Sequence, residues 1–203
     1  PVAVHRHHAE PHGQFGIKEP AGGTGSEHAD ERGAPPPRQR RIVQDDTAIR
    51  FEHLSAIVDH DAPETIGFHI CSGDRKITIA TDLGHICQAS APYLKAANLL
   101  VIESNYDEQM LMTGNYPQFL KARIRSDSGH LGNHQTSSFL ADIINDNLTD
   151  ICLAHLSRNN NSPEIALKTL NDTLSERGIL LNERQRISVL YRNIPTEMIR
   201  LTE

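Results

Sequence analysis

The chain has 203 residues, 37% of them hydrophobic, and a formal net charge of −6. That is enough apolar material for one domain or slightly more. No apolar run is long enough to span a bilayer and no signal-peptide pattern opens the chain, so the expectation is a soluble, cytoplasmic protein with no membrane partner. The acidic balance gives no broad basic surface for nucleic acid and leaves room only for a local groove.

Pro1 to Arg41 differs from the rest. It is rich in Gly, Pro and charge, as in PAGGTGSEHADERGAPPPRQRR, and almost lacks large apolar residues. Such a segment cannot bury enough surface to offset chain entropy, so residues 1–41 are expected to be disordered or foreign to the domain that follows at 42–203.

From Arg41 short apolar strands alternate with polar turns. Ile49 to Val58, Ile66 to Cys71 and Ile77 to Thr81 read as strands, with Ser72-Gly73-Asp74 as a hairpin turn. Ala89 to Ala97 reads as a helix, Leu99 to Glu103 as a buried strand, and a helix is expected near Glu108 with Asp107 as its cap. Tyr116 to Ile124 and Gln135 to Ile144 follow as helices, the second capped by Asn133, with the loop SDSGHLGN between them. Asp150 to Ala154 is the next buried strand. Pro163 to Arg177 is a helix capped by Ser162 and ended by Gly178, and Arg186 to Tyr191 is the last strand.

Three strands end on groups with metal-binding chemistry. Leu54 to Val58 runs into Asp59-His60-Asp61, the strand at Ile77 into Asp82, and Ile151 to Ala154 into His155-Leu156-Ser157. The C-terminal edge of an α/β sheet is where ligands usually bind, and imidazole and carboxylate suit zinc, manganese or iron. His60, Asp82 and His155 are therefore expected to converge on a metal. Lys121, Arg123 and Arg125 form a small basic cluster that reads equally as a phosphate contact or a solvated helix face. Cys71, Cys87 and Cys152 show no CxxC spacing, which argues against a disulfide framework and a thiolate zinc site. No GxSxG element, Walker loop or dinucleotide loop occurs.

HDAPETIGFHI from His60, TDLGH at Asp82, IESNYDEQML from Ile102, YPQFLKARIRSDSGHLGN ending at Asn133, and LAHLSRNNNSPEIA from Leu153 together resemble the metallo-β-lactamase-fold hydrolases of the YycJ/WalJ type. The resemblance implies an α/β fold, the C-terminal part of an αββα sandwich. It also implies two divalent ions, zinc or manganese, in the complete family site. Asp82 would bridge them, His60 and His155 would each hold one, and His130 would sit by the scissile group as a catalytic residue. Asp61, Asn105, Tyr106, Asn133 and Ser157 would support the ligands or line the pocket, and Gly132 stands where the family more often has Ser. The implied activity is metal-dependent hydrolysis of a phosphodiester, DNA or RNA, by a nuclease using a metal-activated water.

The upstream family motif His-x-His-x-Asp-His is missing. Its nearest counterpart, His5-Arg6-His7-His8-Ala9-Glu10-Pro11-His12, lacks the Asp. This chain alone is accordingly expected to hold one ion or none, and the alternatives are a hydrolase of small esters, thioesters or lactones, or a catalytically incomplete fragment.

Overall fold

The computed structural model describes residues 50–58 and 65–201, with backbone alone described at 50–58, 65 and 66. His60 and Asp61 lie outside the described residues, as do the His5 to His12 tract and the rest of 1–49.

Among the described residues six strands form one sheet in chain order: β1 (Arg50–Val58), β2 (Thr65–Ser72), β3 (Arg75–Ala80), β4 (Leu99–Glu103), β5 (Asp150–Ala154) and β6 (Arg186–Val189). β1, β2 and β3 pair antiparallel, whereas β3, β4, β5 and β6 run parallel. The antiparallel step needs only a tight turn, supplied by Gly73-Asp74 with Gly73 at φ 55°. Each parallel step needs a crossover, and helices provide it: α1 (Ala91–Lys95) between β3 and β4, and α5 (Pro163–Glu176) between β5 and β6. The β4 to β5 crossover carries α2 (Glu108–Thr113), α3 (Gln118–Ile124) and α4 (Asn133–Ile143).

The core follows from the register. Ala80, Ile102 and Leu153 lie side by side across β3, β4 and β5, and Thr78, Leu100 and Ile151 form the row two residues earlier. That face packs Leu94 of α1, Leu140 and Ile143 of α4, and Ala166, Leu170 and Leu174 of α5. All five residues of β5 are buried, as expected for an inner parallel strand written DICLA. Fully burying one such leucine contributes about 1.5–3 kcal/mol, so this row anchors the strand ends.

Local signals set several boundaries. The Asp107 carboxylate accepts from Met110 N at 2.8 Å and starts α2, and the Ser162 hydroxyl accepts from Ile165 N at 3.3 Å and starts α5. Gly178, at φ 68°, follows α5. Several boundaries differ from expectation, β6 among them, which ends at Val189 and not at Tyr191. α4 begins two residues early, at Asn133, with Gly132 as its cap, because Gln135 Oε1 accepts from Gly132 N and the Asn133 side chain is buried elsewhere. Pro117 caps α3 instead of entering its first turn. α1 is shorter than its composition suggested, ending at Lys95. No helix among the described residues is long and apolar enough to cross a membrane.

Candidate metal centre

Because β3, β4 and β5 are parallel, their C-terminal ends meet at one edge of the sheet. Asp82 follows β3, Glu103 ends β4 and His155 follows β5. His130 joins them from the loop before α4. One ligand atom from each of Asp82, Glu103, His130 and His155 lies within 4.8 Å of the others.

Asp82 and His155 share an unusual backbone. They sit at φ 58° and 55°, and among the described residues they are the non-glycine positions with positive φ. Left-handed backbone in L-residues is uncommon and persists where surrounding contacts hold it. Around His155 those contacts are explicit. Asn105 Nδ2 donates to His155 O at 2.8 Å, Ser157 N donates to Asn105 O at 2.8 Å, and Ser104 N donates to Ala154 O at 2.9 Å. Beyond Asp82 the chain packs so closely that a Cβ on Gly84 would stand 1.8 Å from Asp127 O. Glycine is thus required where the Asp82 turn meets the loop carrying His130.

Glu103 organises the cluster. It is 0% exposed, yet His130 Nδ1 and His155 Nδ1 each lie 2.7 Å from its Oε1, and Leu83 N donates to its Oε2 at 2.6 Å. Burial alone would push the Glu103 carboxyl up, but the hydrogen bonds and charges of His130 and His155 hold it below the usual carboxylate range. His155 moves the other way: its hydrogen bond to Glu103 raises its pKa against the opposing effect of burial, with the charges of Glu103 and Asp82 adding to the rise. Asp82 Oδ1 stands 3.6 Å from His155 Nδ1 and 3.9 Å from His130 Nδ1.

Separations of 2.7 Å are those of hydrogen bonds. Two ligands of one tetrahedral zinc, each ~2.0–2.1 Å from the ion, would stand ~3.3 Å apart. Glu103 thus acts on both rings as an acceptor for Nδ1–H, the usual arrangement behind a metal-ligating histidine, and makes Nε2 the nitrogen suited to a ligand bond or a proton transfer. With Asp82 as carboxylate donor, the set fits a divalent ion by its chemistry.

The cluster opens into a cavity of about 540 Å³, lined by Asp82, Asn105, His130, His155 and Ser157 together with Tyr116, Leu120 and three arginines. Of the residues expected there, Tyr106 and Asn133 are not among its lining. Tyr106 is 4% exposed beneath Gly132, and Asn133, 1% exposed, exchanges hydrogen bonds of 2.9 Å with Asn161 and accepts from Ser104 Oγ at 2.6 Å. Both brace the segments behind the site. The basic cluster divides as well. Lys121 is buried with Nζ donating to Met112 O at 2.7 Å, Arg125 pairs with Glu108 at 2.9 Å, and Arg123 reaches the cavity.

Glu103 was missed from the sequence as a site residue. The signal that singled out Asp82, a carboxylate closing a buried parallel strand, applies to Glu103 as well.

No protein-family model matches the chain. It is 37% identical over 141 residues to the exodeoxyribonuclease YycJ of Bacillus anthracis, an alignment covering 70% of this chain and 53% of that protein. It is 32% identical over 119 residues to the exodeoxyribonuclease WalJ of Streptococcus pneumoniae serotype 2, covering 59% of this chain and 44% of that one. The chain spans about half the length of these curated relatives. Among solved structures it is similar to the metallo-β-lactamase-fold protein YhfI from Bacillus subtilis, with TM-score 0.49 and 13% identity over 73% of this chain and 48% of that one. It is also similar to a diphosphatase of the PhnP family, with TM-score 0.43 and 15% identity over 77% of this chain and 46% of that one. On this likeness the chain is a sequence relative of the YycJ and WalJ proteins over about half of their length.

Proposed function

We propose that the chain carries the hydrolytic residues of a metal-dependent phosphodiesterase of nuclease type, acting on DNA or RNA in the cytoplasm. One observation supports this reading above the others: Asp82, Glu103, His130 and His155 gather their ligand atoms within 4.8 Å at the edge of an arginine-lined cavity. Asp82 and His155 are the residues that would hold zinc or manganese, joined by His60. A divalent ion there would polarise a phosphoryl oxygen and lower the pKa of water toward neutrality.

The side chains divide the remaining work. Glu103 is a positioning residue, fixing both imidazole rings by accepting their Nδ1 protons. His130 stands beside His155, with ring centroids 5.3 Å apart, and is the candidate to hand a proton to the leaving oxygen. Asp82 brings the negative charge that keeps a cation in the cluster.

The test is metal stoichiometry of the purified chain together with hydrolysis of an end-labelled DNA strand in zinc or manganese. Metal-dependent release of nucleotides supports the proposal. Turnover of p-nitrophenyl acetate with none of DNA would favour a small-ester hydrolase, and metal-independent nuclease activity would refute the metal role.

A further inference from the structure

After Glu103 the chain continues as Ser104-Asn105-Tyr106, and this short extension of β4 receives both histidine-bearing loops. Asn105 N donates to Leu131 O and Asn133 N to Tyr106 O, each at 2.8 Å, so that Gly132 bridges to Tyr106 in parallel. From the other loop Ser157 N donates to Asn105 O at 2.8 Å, while Ser104 N donates to Ala154 O at 2.9 Å. His130 and His155 therefore hang from segments that share one support.

Two asparagines join those segments directly. Asn133 follows His130 in the first loop, and Asn161 follows His155 in the second. Their amides pair reciprocally: Asn133 Nδ2 donates to Asn161 Oδ1, and Asn161 Nδ2 donates to Asn133 Oδ1, each at 2.9 Å. Asn161 Nδ2 also reaches Ser104 O at 2.8 Å and Asn105 O at 3.0 Å, and its Oδ1 accepts from Ser162 N at 2.9 Å. Ser104 Oγ donates to Asn133 Oδ1 at 2.6 Å. Ser104, Asn133 and Asn161 are all buried, so displacing any one of them strands a donor or an acceptor. A buried polar network with every member satisfied rigidifies what it joins. The neighbours of Asn161 have other partners: Asn159 Nδ2 donates to the Tyr116 hydroxyl, and Asn160 O accepts from Asp107 N.

We infer that the Asn133–Asn161 amide pair is a positioning element that fixes the spacing of the His130 and His155 rings, so that both Nδ1 atoms meet Glu103 Oε1 at once. The inference rests on the metal-centre reading above. It adds the residues that set the geometry of the site from behind the histidines.

The experiment uses the full chain and two readouts, one of them free of metal. In the metal-free protein at pH 8.5, long-range proton–nitrogen NMR of the imidazole rings is expected to show His130 and His155 each held as the Nδ1–H tautomer. Asn161→Asp keeps the shape but turns an acceptor toward Ser104 O, Asn105 O and Asn133 Oδ1, and should leave at least one ring divided between tautomers. Its zinc affinity, read by competition with a chromophoric chelator in protein shown to be folded by near-UV circular dichroism, should fall roughly tenfold. Ser104→Ala removes a single hydroxyl from the network, is the milder change should the first variant fail to fold, and should shift both readouts less in the same direction. Asn182→Ala, which loses a 3.1 Å bond to Asp146 near the start of β6, serves as control and should change neither. Folded variants of Asn161 or Ser104 that keep wild-type tautomers and wild-type zinc affinity would overturn the inference, even where denaturant unfolding shows them less stable. A wild-type chain that binds no zinc, with tautomers that still change in the variants, would refute the metal-centre reading while leaving the positioning role standing.

Discussion

His155 Nδ1 lies 2.7 Å from Glu103 Oε1, although the two residues stand 52 positions apart in the chain. The parallel pairing of β4 with β5 places Glu103 opposite Ala154, one residue before His155. The contact is thus a consequence of strand register, and it joins the buried floor of the candidate site to its exposed imidazole.

Removing the Glu103 carboxylate tests that floor. Glu103→Gln keeps the shape but cannot accept from Leu83 N and both histidines as a charged group, and metal affinity is expected to fall roughly 10–100-fold. Glu103→Ala would also leave the buried Leu83 N–H unmatched and destabilise the fold by about 1–3 kcal/mol. Competition with a chromophoric chelator reads the first effect and denaturant unfolding the second. Unaltered affinity in the Gln variant would remove Glu103 from the site.

Ligand and proton-transfer roles separate by metal content. Asp82→Ala, His155→Ala and His60→Ala are each expected to lower bound metal, measured by elemental analysis after removal of loosely held ions. His130→Ala should retain metal and lose turnover. Loss of metal from the His130 variant as well would move that residue into the ligand set.

The raised pKa of His155 gives a pH dependence with a definite sign. Without metal, its charged interaction with Glu103 stabilises the fold fully below the unfolded imidazole pKa of about 6.5, and that stabilisation disappears as pH climbs through the higher folded value. Metal binding at His155 requires the second ring proton to leave, so affinity falls as pH drops through that same value. The rise in Tm produced by zinc should be larger at pH 8.5 than at pH 6. An equal rise at both would show that His155 does not lose a proton on binding.

Gly132 occupies the cap of α4 against the face of Tyr106. A Cβ there would stand 2.9 Å from two ring carbons, so Gly132→Ala forces the buried ring to shift, at about 1–3 kcal/mol. Combining it with Tyr106→Leu should recover part of the stability by coupling. Thermal melts of the single and double variants measure this directly.

The elements and most of the chemistry at their ends are legible in the chain. Alternating and continuous apolar runs wrote β2 to β6, since strand faces are buried with fixed periods, and Asp107 and Ser162 announced their helices by side-chain capping. The resemblance in the TDLGH, GHLGN and LAHLS segments singled out Asp82, His130 and His155, which the fold brings together. Which polar residues share a space depends on how the strands and helices meet. Glu103, 0% exposed at the end of β4, looks in sequence like any strand-terminal acid; its role as acceptor for two histidines exists only once three parallel strands align their ends. Lys121, Arg123 and Arg125 look alike in sequence, yet a helix turns successive residues to different faces, sending one into the interior, one to the cavity and one to Glu108. Periodicity is a local property that the chain records directly, whereas the meeting of side chains tens of residues apart depends on register and crossover, which no local stretch encodes.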